Sequence, residues 1–203
     1  MILIGGYFSP FVRRCAVTLR EYEISYEHRA LKVWDDADEL KAANPLGRVP
    51  ALILDDGGIL VDSAVIIDSL DQMVSADKAL TPREGRERSH VLTLVELGAG
   101  SAEKAVAAQY ERAYRPPEKS YQPWIEQCES QSQGGFEALD RMAKMPWMVG
   151  ARMTQADITA VVAWEFLNII NPALASRIIC PKLKEIVDRV TDMPSFSETR
   201  PEV

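Results

Sequence analysis

An α/β domain followed by an all-α domain is the fold class this 203-residue sequence predicts, and three observations predict it. Short apolar runs at Ile2-Leu3-Ile4, Ala51-Leu52-Ile53-Leu54 and Ile59-Leu60-Val61 alternate with amphipathic stretches as far as Val74. From Thr81 onward the periodicity is helical and no strand pattern stands out. Late in the chain, Ile158 to Ile170 is apolar on nearly every side, which marks a helix in the middle of a bundle. The expected domains are residues 1–75 and 82–203, with Ser75 to Leu80 as the linker.

The first strand, Ile2-Leu3-Ile4, leads into Tyr7-Phe8-Ser9-Pro10-Phe11-Val12-Arg13-Arg14. Ser is a favoured N-cap and Pro suits the first helical position, so Ser9 is expected to cap a helix. A hydroxyl there lies beside free N–H groups and the positive end of the helix dipole, where an anion is stabilised. A Cys at such a position has its thiol pKa lowered for the same reason. With Ser in its place, the stretch admits two readings: an ordinary capping Ser with no chemistry, which the octapeptide alone favours because Ser-Pro is a common helix start, and a pocket that donates a hydrogen bond to a thiolate brought by a ligand. Phe11, Val12, Cys15, Ala16, Leu19 and Tyr22 follow at helical spacing, with Arg13, Arg14, Arg20 and Glu21 on the other side.

Ser25 to Val33 reads as a mostly polar strand, and Asp36 to Ala43 as a short helix. Strand, helix, strand opens a parallel βαβ unit. Asn44-Pro45-Leu46-Gly47-Arg48-Val49-Pro50 is turn-rich and ends on a Pro that must stand at the mouth of the next strand. Asp55-Asp56-Gly57-Gly58 turns the chain back into Ile59-Leu60-Val61, and Asp62-Ser63 opens a helix carrying Ile66, Ile67, Leu70, Met73 and Val74. A βαβ followed by αββα, with a Pro before the third strand, describes a thioredoxin-like domain.

In the second half, Thr81-Pro82-Arg83-Glu84 has the form of a capping box, so a long helix is expected from there to about Glu111. Gly98 and Gly100 inside it suggest a close approach by another element. A second long helix carries Tyr121, Trp124, Ile125, Cys128, Leu139 and Met142 as its packed stripe. Thr154-Gln155-Ala156-Asp157 is another capping box and starts the apolar central helix. A last helix spans Pro181 to Val190.

With these motifs in place, the chain resembles the cytosolic glutathione S-transferase superfamily in its bacterial, Ser-type form. The resemblance is carried by S-P-F-V-R-R, by N-P-L-G-R-V-P-A-L, by the D-S pair and by the G-x-x-T-x-A-D segment from Gly150 to Asp157. It implies a thioredoxin-like N-terminal domain and an all-helical C-terminal bundle. It also implies glutathione as co-substrate, with Ser9 as catalytic hydroxyl and a cis Val49–Pro50 bond whose backbone pairs with the cysteinyl part. Asp62 and Ser63 would then hold the γ-glutamyl end, Arg48 would reach a carboxylate of the ligand, and Asp157 would be a folding residue. Tyr7 is the competing hydroxyl, because several branches of the family use a Tyr; Ser9 is preferred because it stands where the helix begins.

The implied reaction is attack of the glutathione thiolate on a small hydrophobic electrophile held in a cleft near Phe8, Tyr110 and Tyr114, in a homodimer. The alternatives are a non-catalytic regulatory protein of the same fold, or another glutathione enzyme such as an isomerase or dehalogenase. Net charge is −7 and the basic residues form no run, so neither nucleic acid nor an anionic membrane is an expected partner. Three widely spaced Cys and two separated His supply neither a disulfide framework nor a metal site, and predict a reducing, cytoplasmic setting for a soluble, unprocessed chain.

Overall fold

The computed structural model describes residues 1–33 and 35–201. In chain order its elements are β1 (Ile2–Ile4), α1 (Pro10–Glu21), β2 (Glu27–Arg29), α2 (Ala37–Ala43), β3 (Ala51–Ile53), β4 (Ile59–Val61) and α3 (Ser63–Met73). There follow α4 (Gly85–Ala113), α5 (Gln122–Met142), α6 (Gln155–Ile170), α7 (Pro172–Ala175), α8 (Pro181–Val190) and α9 (Pro194–Ser197). They form two compact units, Met1–Arg83 with Val190–Val203 and Glu84–Arg189. The first is thioredoxin-like, and the second holds helices and no strand among its described residues.

In the first unit the sheet order is β2-β1-β3-β4, with β1 parallel to β2 and antiparallel to β3, and β3 antiparallel to β4. Successive strand residues face opposite sides of a sheet, and the two faces here are filled accordingly. Leu3 and Leu52, paired across the sheet, join Val12, Cys15 and Leu19 of α1 with Ile66 and Leu70 of α3 in one core. Ile4 and Ala51, the adjacent pair, join Leu40 and Ala43 of α2 on the opposite face. Leu70 is fully buried. Burial of such a side chain contributes roughly 1.5–3 kcal/mol.

Three expectations differ here. The strand expected over Ser25 to Val33 is confined to Glu27–Arg29, because this edge strand pairs only with the three residues of β1. Arg13 and Arg14, assigned to the open side of the first helix, are buried at 2% and 4% exposure. The reason is long-range: α9 packs on α1, where Arg13 Nη2 donates to the Phe196 carbonyl at 3.2 Å, and Arg14 points at the start of α3. The helix expected from the Thr81 capping box begins instead at Gly85, and the Glu84 side chain makes no capping bond. Thr81 is buried, Arg83 is tied to Gln72 and to the Val74 carbonyl, and Gly85 turns the chain at φ +82°, where a side chain would be strained.

In the second unit α4 packs against both α5 and α6. A Cβ at Gly135 would fall 1.9 Å from Ser101 Oγ, and one at Gly98 would press on Thr159 and Ala160 of α6. These two glycines are therefore where the backbones come close, while Gly100 faces open space. The central helix α6 is buried from Gln155 through Trp164, and the Thr154–Asp157 capping box is formed. On α5 the buried stripe is Ile125, Cys128, Ser132, Phe136 and Leu139. Tyr121, Trp124 and Met142, expected on that stripe, are exposed, since the first two belong to the cap and first turn and the last closes the helix, beyond the packed face at both ends.

Candidate active site

The site is assembled around the start of α1. Ser9 is the N-cap, with extended backbone at φ −70° and ψ 122°, and its Oγ accepts a hydrogen bond from Val12 N at 3.5 Å. A hydroxyl that accepts in this way keeps its own proton to donate. Gly5, at the end of β1, has φ +115°, and a Cβ there would lie 2.6 Å from Val12 Cγ2 and 2.7 Å from Val49 Cβ. Only glycine lets β1, the first turn of α1 and Val49 meet at this point. The Val49–Pro50 bond is cis, as the family resemblance implies.

Asn44 shapes the loop that delivers Val49. It is buried, its side-chain amide donates to the Arg48 carbonyl at 2.8 Å, and its side-chain oxygen accepts from Leu46 N at 3.0 Å. The Arg48 residue itself is exposed. Asn-Pro is visible as a turn signal in the sequence, but the two-sided clamp by Asn44 follows only from the folded loop.

Asp62 has φ +70°, an uncommon conformation for a residue other than glycine, and its carboxylate caps α3 by accepting from Ala64 N at 2.8 Å. Backbone outliers of this kind cluster at ligand clamps. Next to it Ser63 is buried at 1% exposure, and its Oγ accepts from Arg14 Nη2 at 2.7 Å, again leaving the hydroxyl proton available. Arg14, which helical periodicity assigned to the surface, is thus turned inward onto Ser63. The only sequence sign of it is its place one helical turn after Pro10, on the side of α1 that faces Ser63. Gly5 thus brings Val12, in the first turn of α1, against Val49, and Arg14 ties α1 to Ser63, while Arg48 and Asp62 are both exposed.

Tyr7 has different surroundings. Its hydroxyl is 2.8 Å from that of Tyr26, and its ring stacks on His28 with centroids 3.9 Å apart and planes 2° apart. Burial, then the Tyr26 hydroxyl, pushes the Tyr7 phenol well above its ordinary range. The three Cys are buried. Burial pushes the Cys15 thiol up to about 12 and that of Cys180 up to about 11, so neither is poised as a nucleophile. Among the described residues no group of three or more His, Cys, Asp or Glu could hold a metal ion, and no helix is long and apolar enough to cross a membrane.

Comparison with known proteins bears on the same elements. Residues 3–78 match the family model for the glutathione S-transferase N-terminal domain, and residues 106–194 that for the C-terminal domain. A glutathione S-transferase of Escherichia coli O157:H7 is 30% identical over 142 residues, covering 68% of this chain and 67% of its own. The chain belongs to the glutathione S-transferase superfamily. Another relative, the maleylacetoacetate isomerase of Pseudomonas aeruginosa, is 28% identical over 99% of this chain and 96% of its own. Among solved structures, a glutathione transferase family member from Pseudomonas fluorescens Pf-5 with bound glutathione is 32% identical. It superposes with a TM-score of 0.90 over 100% of this chain and 99% of its own. In this superfamily member the Gly5 contact, the cis bond and the Asp62 outlier all fall within the matched N-terminal domain.

Proposed function

We propose that this chain binds glutathione and transfers it to small hydrophobic electrophiles, working as a homodimer. The observation that carries the reading is Ser9: a helix N-cap whose Oγ accepts from Val12 N, on a first turn that Gly5 lets approach Val49 of the cis Val49–Pro50 bond. In the proposed reaction glutathione loses its thiol proton to solvent, and Ser9 donates a hydrogen bond to the resulting thiolate. The sulfur forms a bond to an electrophilic carbon, and the leaving group departs with the electron pair of the bond that breaks. Two features favour the thiolate at this point: the aimed hydroxyl and the positive end of the α1 dipole. Val49 offers extended backbone to the cysteinyl part, Asp62 a carboxylate to the γ-glutamyl ammonium, and Ser63 a hydroxyl to its carboxylate. Arg48 would meet the other carboxylate of the ligand. The relative from Pseudomonas fluorescens, with glutathione bound, supports this ligand for the present chain.

Calorimetric titration with glutathione and a conjugation assay with an activated aryl chloride test the reading together. Asp62→Ala or Ser63→Ala is expected to weaken glutathione binding by ~1–3 kcal/mol, the cost of losing one charge-assisted hydrogen bond. Unchanged affinity in both variants would remove these residues from the site. Light scattering at micromolar concentration is expected to give a dimer mass, in keeping with the two-fold symmetry that most closed assemblies adopt.

A second reading rests on the full-length similarity to the maleylacetoacetate isomerase. An isomerase also uses the glutathione thiolate, adding it to a double bond and expelling it again with no net consumption. The conjugation assay separates the two: glutathione is consumed in transfer and regenerated in isomerisation.

A further inference from the structure

The connection from β1 to α1, Gly5 to Ser9, carries the capping hydroxyl, and what holds this connection sets where the hydroxyl stands. Two backbone bonds shape it: Gly5 N donates to the Arg29 carbonyl at 2.8 Å, and Ser9 N donates to the Gly6 carbonyl at 3.0 Å. A Cβ at Gly6 would touch nothing within 4 Å, so the side chain of Tyr7 is the next anchor along the connection. We propose that His28 is a positioning residue for Ser9, gripping the connection at both Gly5 and Tyr7; the inference rests on the reading of Ser9 as donor to a glutathione thiolate.

Strand alternation explains why His28 reaches this place. Side chains along a strand point to opposite faces in turn. In the parallel pairing His28 stands opposite Leu3, and Leu3 belongs to the core shared with α1. His28 therefore projects to the α1 side of the sheet. Tyr26, two residues before it, packs against that same core, as does Tyr7.

There His28 makes two contacts. Its Nε2 lies 2.8 Å from the Gly5 carbonyl oxygen, and since a carbonyl only accepts, Nε2 carries the proton and donates it. Its ring lies flat against that of Tyr7, with centroids 3.9 Å apart and planes 2° apart. Tyr26 fastens the far end of the Tyr7 ring, the two hydroxyls being 2.8 Å apart.

One side chain thus holds two points of the connection. Gly5 is where Val12 and Val49 come together, and Tyr7 stands two residues ahead of the capping Ser9. A donor serves catalysis only when aimed, and its aim is kept by neighbours whose own rotamers are locked by packing and hydrogen bonds. His28 acts through Ser9 and not on the reacting atoms.

Thiolate absorbance of bound glutathione followed against pH tests this on the full chain, with conjugation kinetics and a thermal melt alongside. Three substitutions separate the contacts. His28→Phe keeps the stack and loses the N–H, His28→Gln keeps a donor and loses the ring, and His28→Ala loses both. His28→Ala is expected to move the titration upward and to lower kcat by about 3- to 30-fold, within the ~100-fold that a misplacement of ~1 Å costs, while KM for glutathione changes by less than about 2-fold. The Phe and Gln variants should each recover part of that loss. In a Ser9→Ala background His28→Ala should move the titration no further, because the hydroxyl it positions is gone. If His28→Ala does not fold, as judged by its melt, the Phe and Gln variants carry the same comparison in both backgrounds. A lowered melt with the titration left in place, a change confined to KM, or an equal shift in both backgrounds would each overturn the proposal. A titration that Ser9→Ala itself leaves unmoved would instead remove the reading of Ser9, and this proposal with it.

Discussion

Replacing Ser9 by Ala is expected to slow glutathione conjugation by ~10- to 1000-fold, the range spanned by loss of one donor aimed at developing or full negative charge. The hydroxyl accepts from Val12 N and so keeps its own proton to donate, beside the positive end of the α1 dipole. An unperturbed thiol has a pKa of ~8.5, so only a minor fraction is thiolate at neutral pH. A donor to the thiolate lowers that pKa, and its removal raises it. Thiolate absorbance of bound glutathione followed against pH reads the shift directly, apart from any change in turnover. Ser9→Ala also removes a cap, and because the Ser9–Val12 bond is long at 3.5 Å the stability cost should fall near the low end of ~0.5–2 kcal/mol. A thermal melt therefore separates a catalytic loss from a folding loss. Tyr7→Phe is the matching control. The Tyr7 hydroxyl is engaged by Tyr26 and its ring by His28, which favours Ser9 as the donor. If Ser9→Ala leaves the titration in place and Tyr7→Phe moves it upward, the catalytic hydroxyl is that of Tyr7.

Asp157→Ala should be the most destabilising single substitution of a polar residue in the second unit, costing ~3–5 kcal/mol. Asp157 is fully buried, and its carboxylate accepts from Met148 N at 2.7 Å, Thr154 N at 2.8 Å and Thr154 Oγ1 at 2.9 Å. Truncation leaves those donors buried without an acceptor, and each orphan costs ~1–3 kcal/mol before any relaxation. The start of α6, the most deeply buried helix, goes with it. Urea unfolding monitored by circular dichroism measures the loss, and a change below about 1 kcal/mol, the net worth of a single hydrogen bond, would show that water replaces the carboxylate. Burial raises the Asp157 carboxyl above its ordinary value, with the donated hydrogen bonds opposing the shift. The native state therefore holds that proton to higher pH than the unfolded chain does. Its contribution is fully present below the unfolded pKa and declines as pH rises through the folded one, so the deficit of the Ala variant should be widest in acid.

Features encoded within a turn or two of chain are readable without the fold. Ser9-Pro10, Thr154 to Asp157 and Asp62-Ser63 mark helix starts because capping needs only a side chain and the N–H groups two or three residues on. Apolar runs showed the strands and the central helix for the same local reason. The residues proposed for the site stand in visible motifs, but the links among them do not. That Gly5 must lack a side chain, that Arg14 is turned inward to Ser63, and that Asn44 clamps the loop before Val49 all depend on which elements meet. Only the folded chain shows that α9 returns to cover Arg13 on α1, across 183 residues of sequence, and that Gly135 joins Gly98 as a point of close approach in the bundle while Gly100 does not. A cap carries its partner in the same few residues, whereas the covering of a helix face is set by a segment far along the chain, and periodicity records only that a face is apolar, not what reaches a polar one.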